Sequence, residues 1–229
     1  MSRKLKNKVN RNVHLIAYNN PQSPITEQYR LIRNNLNFSS VDKEIKSIVV
    51  TSPEPSDGKS TTAANLAIVL AQQGNKVLLV DADLRKPSVH YSFNIGNIEG
   101  LTSILTKKMN VERAVIKTNI TNLEVLTSGP IPPNPSELLS SSSLDFVLKE
   151  LREMYEYIVL DTPPLLAVTD AQNLANKCDG VVLVVSSKKT KRDRALKAKD
   201  LLEKANSFLL GVVLNGVAAR KTNYYGHYN

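Results

Sequence analysis

Ile48-Val49-Val50-Thr51-Ser52-Pro53-Glu54-Pro55-Ser56-Asp57-Gly58-Lys59-Ser60-Thr61-Thr62 is the stretch from which the fold can be read. A β-branched run enters a turn of Pro, Ser, Asp and Gly and leaves through Lys-Ser-Thr into a helical pattern over Ala63–Ala71. Strand, tight loop and helix in that order bring backbone N–H groups around Gly58 and at the helix start into one concavity, which attracts polyphosphate. Lys59 would reach the β/γ-phosphates, and the Ser60 hydroxyl would bind Mg²⁺. Asp57, Gly58 and Thr61 complete the nucleotide-binding set, with Gly58 letting the chain approach the phosphates without a Cβ. The loop departs from the usual Gly-x4-Gly-Lys-Ser/Thr spacing, because Pro53 stands where the first glycine would be. Gly-Lys-Ser/Thr alone would occur by chance in roughly one chain in ten of this length, so its neighbours must decide.

Two further strands supply carboxylates. Lys76-Val77-Leu78-Leu79-Val80-Asp81-Ala82-Asp83-Leu84-Arg85 has four consecutive apolar residues, the mark of a strand buried on both faces. It delivers Asp81 and Asp83 to the carboxyl edge of a sheet, where open α/β sheets bind ligands. One carboxylate there can hold Mg²⁺ while the other takes a proton from an attacking hydroxyl. Arg85 adds positive charge close by. Tyr157-Ile158-Val159-Leu160-Asp161 repeats the pattern, and Asp161 stands where a carboxylate holds Mg²⁺ through water. Strands are expected from Ile45, Val77, Leu123, Tyr157, Val181 and Phe208. Helices are expected over about 26–37, within 99–117, over 142–155 and over 190–206. The alternation gives an α/β fold: a doubly wound, mainly parallel sheet of the P-loop NTPase type with a deviant Walker A loop. Gly129–Pro135 is too proline-rich for either periodic structure and reads as an extended loop.

The chain of 229 residues is 41% hydrophobic, enough for one α/β core. Three parts are expected: a flexible basic arm over 1–22, one P-loop domain over 23–219 and a mobile tail over 220–229. Cys178 is the single cysteine, which excludes an internal disulfide and suits a reducing cytosol. No apolar run approaches about 18 residues and the first residues lack a signal-peptide core, so a cytoplasmic protein is expected. Net charge is +9, crowded at the N-terminus and over 188–199. Such crowding suits an anionic partner or two ordinary solvated faces. Glu27, Arg30 and Arg33 form a ridge of mixed charge at i, i+3, i+6, fit either for pairing within the helix or for a self-complementary contact with another copy. Tyr224, Tyr225 and Tyr228 crowd the last six residues without aliphatic company, either as a sticky end or as phosphate acceptors.

Taken together, these residues resemble the bacterial tyrosine kinases of capsule and exopolysaccharide systems, in the form of a separate kinase chain. The matching pieces are the loop from Ser52 to Ser60, hydrophobic-Asp81-x-Asp83-x-Arg85, hydrophobic-Asp161-x-Pro163, Glu27-x2-Arg30-x2-Arg33 and the terminal tyrosines. The resemblance implies a protein-tyrosine autokinase using ATP and Mg²⁺. Lys59 and Ser60 would bind phosphates and Mg²⁺, Asp83 and Asp161 would position the metal, and Asp81 would help to deprotonate a tyrosine. Asn215 would contact adenine. Glu27, Arg30 and Arg33 would join copies into a ring in which one subunit's tail enters its neighbour's site, with Tyr224, Tyr225 and Tyr228 as phosphoacceptors. It further implies recruitment to the inner face of the membrane by the cytoplasmic segment of a polysaccharide co-polymerase adaptor, with a cognate tyrosine phosphatase and protein substrates as other partners. Nucleic acid is not expected as a partner.

The nearest rival is a positioning ATPase of the partition or division-site type on the same fold. Those proteins place an extra lysine early in the phosphate loop, where this chain has Glu54, and lack a tyrosine tail. A nucleic-acid-binding module using the basic helix would leave Asp81, Asp83 and Asp161 without a task.

Overall fold

The computed structural model describes residues 14–39 and 44–218, with side chains throughout except at 37–39. In chain order the elements are α1 (Ile16–Asn19), α2 (Pro24–Ser39), β1 (Ser47–Thr51), α3 (Lys59–Ala71), β2 (Val77–Asp81), α4 (Val89–Phe93), α5 (Leu101–Leu105) and α6 (Val111–Ala114). There follow β3 (Ile116–Lys117), β4 (Leu123–Leu126), α7 (Pro135–Ser140), α8 (Ser142–Met154), β5 (Tyr157–Asp161), α9 (Asp170–Lys177), β6 (Gly180–Ser186), α10 (Arg192–Lys204) and β7 (Leu209–Asn215).

The strands form one sheet in the order β3-β4-β2-β5-β1-β6-β7, parallel everywhere except at β3. Alternate residues of each central strand feed two cores, as a sheet covered on both faces requires. Val49, Leu78, Val80, Ile158 and Leu160 face the layer of α5 to α10. Ile48, Val50, Val77, Leu79 and Val159 face α1, α2, α3 and α4. Because β1, β2 and β5 run in parallel, their carboxyl ends meet at one edge. Asp81 lies opposite Asp161, and Val50 opposite Asp161 on the other side.

The structure revises several expectations. The arm expected over 1–22 docks through Leu15–Ala17, while His14 and residues 18–22 stay exposed; its first 13 residues and the tail from 219 lie outside the described residues. Ala17 is wholly buried. Its N–H donates to Asn65 Oδ1 at 2.9 Å, and its carbonyl accepts from Gln72 Nε2 at 3.0 Å. Asn65 Nδ2 also donates to the His14 carbonyl at 2.8 Å. Side chains of α3 and of Gln72 just beyond it satisfy the arm's backbone, so a short apolar run suffices to dock it. Within 99–117 two short helices appear, but the end pairs as β3 antiparallel to β4. The short helices α4, α7 and α9 carry too few turns for a helical period to show in sequence.

Candidate active site

β1 ends in a loop whose last residue before α3 is Gly58, at φ 102°, the left-handed region that L side chains avoid. Space adds a second reason for glycine there, since a Cβ would lie 2.0 Å from Asn215 Nδ2. That amide donates to the Asp57 carbonyl at 2.9 Å. The Asp57 carboxylate is fully buried and turned inward: it accepts the Glu54 N–H at 2.9 Å and the Thr190 hydroxyl at 2.8 Å. Arg194 pairs with Glu54 at 3.0 Å, and Lys189 donates to the Pro55 carbonyl. The loop is therefore gripped along its outer rim by the β6–α10 connection and the end of β7. Thr61 continues α3, its carbonyl taken by Asn65 Nδ2.

Across the loop, Lys59 Nζ lies 3.2 Å from Asp83 Oδ2, 3.3 Å from Asp161 Oδ1 and 3.1 Å from Ser60 Oγ. Burial disfavours the ammonium, but Asp161, Asp83 and Asp81 more than offset it and hold its pKa above the usual lysine value. Asp81 Oδ2 accepts the Ser88 and Val89 N–H groups, each at 2.9 Å. Its other oxygen, and Asp161 Oδ2, are buried with no partner among the described residues. Burial, then the neighbouring Asp161 charge, pushes the Asp81 carboxyl up to about 7. Burial likewise raises Asp161, with Lys59 opposing.

The sequence-derived residues Lys59, Ser60, Asp81, Asp83 and Asp161 thus converge at one sheet edge, with Asp57, Gly58 and Asn215 on its loop side. Arg85 is drawn elsewhere: its Nε donates to Asp170 Oδ2 at 2.8 Å and its Nη2 to Oδ1 at 3.1 Å. Asp170, Ser136 and Thr190 were not singled out by sequence, since in Val168-Thr169-Asp170 an aspartate reads as an ordinary helix start, and Arg194 was read only as part of the basic crowd over 188–199. On α2, Arg30 pairs with Glu27 inside the helix, and Arg33 Nη1 donates to the Val69 carbonyl at 3.0 Å. The acceptors Tyr224, Tyr225 and Tyr228 lie outside the described residues.

A family model described as an AAA domain matches residues 45–206. The chain is 54% identical to tyrosine-protein kinase YwqD of Bacillus subtilis, over 94% of this chain and 91% of that one. It is 42% identical to the putative tyrosine-protein kinase CapB of Staphylococcus aureus, over 93% and 94%. The chain belongs to the bacterial tyrosine-protein kinases. The kinase superposes on the chimerical protein CapA2B2 with a TM-score of 0.85 at 48% identity, covering 87% of this chain and 88% of that one. Against the kinase domain of Escherichia coli tyrosine kinase ETK the TM-score is 0.87 at 32% identity, over 95% and 86%. The septum site-determining protein MinD of Pyrococcus horikoshii, solved with Mg-ADP, is more distant, with a TM-score of 0.64 at 25% identity over 74% and 70%. Among the described residues of the kinase no helix is long and apolar enough to cross a membrane.

Proposed function

We propose that the kinase transfers the γ-phosphoryl group of ATP to Tyr224, Tyr225 and Tyr228 of its own tail, and to other proteins, in control of capsule or exopolysaccharide synthesis. The observation that carries this reading is the pair of buried carboxylate oxygens without a partner among the described residues, Asp81 Oδ1 and Asp161 Oδ2, on neighbouring strands beside Lys59. Buried acceptors left open in this way are costly unless chemistry uses them.

Asp161 Oδ2, Asp83 and the Ser60 hydroxyl fit Mg²⁺, which prefers one or two carboxylates completed by phosphate and water. Among the described residues no group of three or more His, Cys, Asp or Glu could hold a metal by itself, in keeping with an ion that arrives with nucleotide. When bound, Mg²⁺ supplies charge neutralisation on the phosphates. Lys59 would turn from its carboxylates to the β/γ-phosphates, and backbone N–H groups from Gly58 to Thr61 would orient them. A phenol of pKa near 10 needs a base, and Asp81 Oδ1 offers a lone pair while Oδ2 stays fixed by two backbone donors. Asn215, beside Gly58, would meet the base of the nucleotide.

The solved relative with Mg-ADP supports nucleotide use, and a membrane-bound adaptor would be the partner. Glu27, Arg30 and Arg33 would build a ring that presents each tail to a neighbour, at the inner face of the cell membrane, and a tyrosine phosphatase would reverse the reaction. The test is incubation with Mg²⁺ and γ-labelled ATP, with and without an adaptor's cytoplasmic peptide, followed by site mapping. Label on the tail tyrosines that Lys59→Met abolishes supports the reading. Free phosphate with no labelled tyrosine under either condition would instead favour the positioning-ATPase alternative.

A further inference from the structure

We infer that Asp170 is a positioning residue for phosphoryl transfer, acting through Arg85, and that Ser136 completes its grip. The inference rests on the proposal that this site transfers phosphate, and adds that Arg85, two residues beyond Asp83, serves the transfer.

Asp170 opens α9 and is fully buried, a costly place for a carboxylate that lacks partners. Its partners are chosen for geometry. Arg85 Nε and Nη2 meet its two oxygens in a bidentate fork at 2.8 and 3.1 Å, and Arg85 Nη2 also donates to Ser136 Oγ at 2.9 Å. The Ser136 hydroxyl, in the first turn of α7, donates to Asp170 Oδ1. The hydrogen bond that Arg85 donates to Asp170 accordingly holds the guanidinium above the usual arginine value.

Two consequences follow from where the fork sits. The loop bearing the reactive carboxylates is tied down within itself at two points, Asp81 to Ser88 and Val89 and Asp83 Oδ1 to the Lys86 N–H at 3.0 Å. Arg85, between them, is tied to partners 51 and 85 residues away on α7 and α9. The fork also uses one edge of a planar guanidinium. The two donors of Nη1 have no partner among the described residues and are aimed by the plane that Asp170 fixes. Arg85 is 39% exposed in its side chain and lies near enough to the reactive carboxylates to feel the Asp83 charge, while Asp170 remains sealed. A lysine could not be held this way.

The experiment is a mutant cycle in the full chain: Asp170→Asn, Arg85→Ala and the double variant, with Ser136→Ala as a milder second probe. Tail phosphorylation at saturating ATP, affinity for ATP and the melting temperature are read for each. Asp170→Asn is expected to lower the saturated rate about ten- to a hundredfold with ATP affinity little changed, the effect of a group displaced by about 1 Å. In the Arg85→Ala background the same change should cost nothing further, because its effect passes through Arg85. Ser136→Ala should act in the same direction, more weakly, and also vanish without Arg85. An equal loss in both backgrounds would overturn the inference, as would a lower melting temperature with an unchanged saturated rate. If Asp170→Asn does not fold, the Ser136→Ala and Arg85→Ala cycle decides the question by the same two criteria. If ATP is cleaved but no tyrosine is labelled, the kinase proposal fails, and the cycle read on phosphate release still decides whether Asp170 acts through Arg85.

Discussion

The two sides of the phosphate loop are built on opposite terms. On the outer rim the acidic side chains are matched, Glu54 by Arg194 and the Asp57 carboxylate by a backbone N–H and the Thr190 hydroxyl, and Asn215 donates to the Asp57 carbonyl. On the inner side three buried carboxylates surround the single ammonium of Lys59, which pairs with Asp83 and Asp161 only, and two of their oxygens have no partner among the described residues. A matched network holds a shape, whereas an unmatched one holds charge in readiness for a ligand. The loop is thus rigid where it is handled by the rest of the fold and electrostatically tense where phosphate would enter.

The comparison breaks most sharply at Lys59. Lys59→Met should lower tyrosine phosphorylation by at least about a thousandfold, measured as label transfer at saturating ATP. Next comes Asp81→Asn, which should cost about a hundredfold or more in the same assay yet stabilise the protein. The Asp81 carboxyl lies near 3.8 in the unfolded chain and about 7 in the folded one. Its contribution to stability is therefore intact below about pH 4 and lost as pH rises to about 7. Without Mg²⁺ and nucleotide, Asp81→Asn should match the native chain in thermal midpoint at pH 4 and exceed it by several degrees at pH 8. A midpoint that does not separate from native at pH 8 would mean the inner side is not under tension.

Gly58→Ala sharpens the contrast from the middle of the loop. A left-handed φ costs an L residue about 1–2 kcal/mol, and the Asn215 amide stands where the methyl would go. ATP affinity should fall at least about tenfold by direct binding, and Asn215→Ala in that background should return only part of it. The outer rim should show the smallest effects. Thr190→Val leaves one oxygen of buried Asp57 short of a donor and should cost about 1–3 kcal/mol in denaturant unfolding. Arg194→Ala removes a half-exposed pair and should cost within about 1 kcal/mol.

Sequence carried the inner side further than the outer one. Lys59, Asp81, Asp83 and Asp161 were legible because each ends a buried apolar strand or opens a helix, and parallel strands bring such ends together. The two-faced sheet followed from the same apolar runs. What was not legible depends on contacts between distant segments made by unremarkable residues. Asn65 binding the arm, Thr190 reaching Asp57 and Asp170 gripping Arg85 span 48, 133 and 85 residues. Their residue types are common on any surface, so no local pattern sets them apart. Glu27, Arg30 and Arg33 illustrate the middle ground: spacing left their role open, and within one chain they already pair with each other and with α3.

The central claim is that a complete site acts on the tyrosines of another copy's tail. The direct measurement mixes a Lys59→Met chain, which keeps its tail, with a chain ending at Asn223, which keeps its site, and maps label from γ-labelled ATP in the presence of Mg²⁺ and adaptor peptide. The account predicts label on Tyr224, Tyr225 or Tyr228 of the Lys59→Met chain. Phosphate release by the shortened chain with those tyrosines left unlabelled would contradict it.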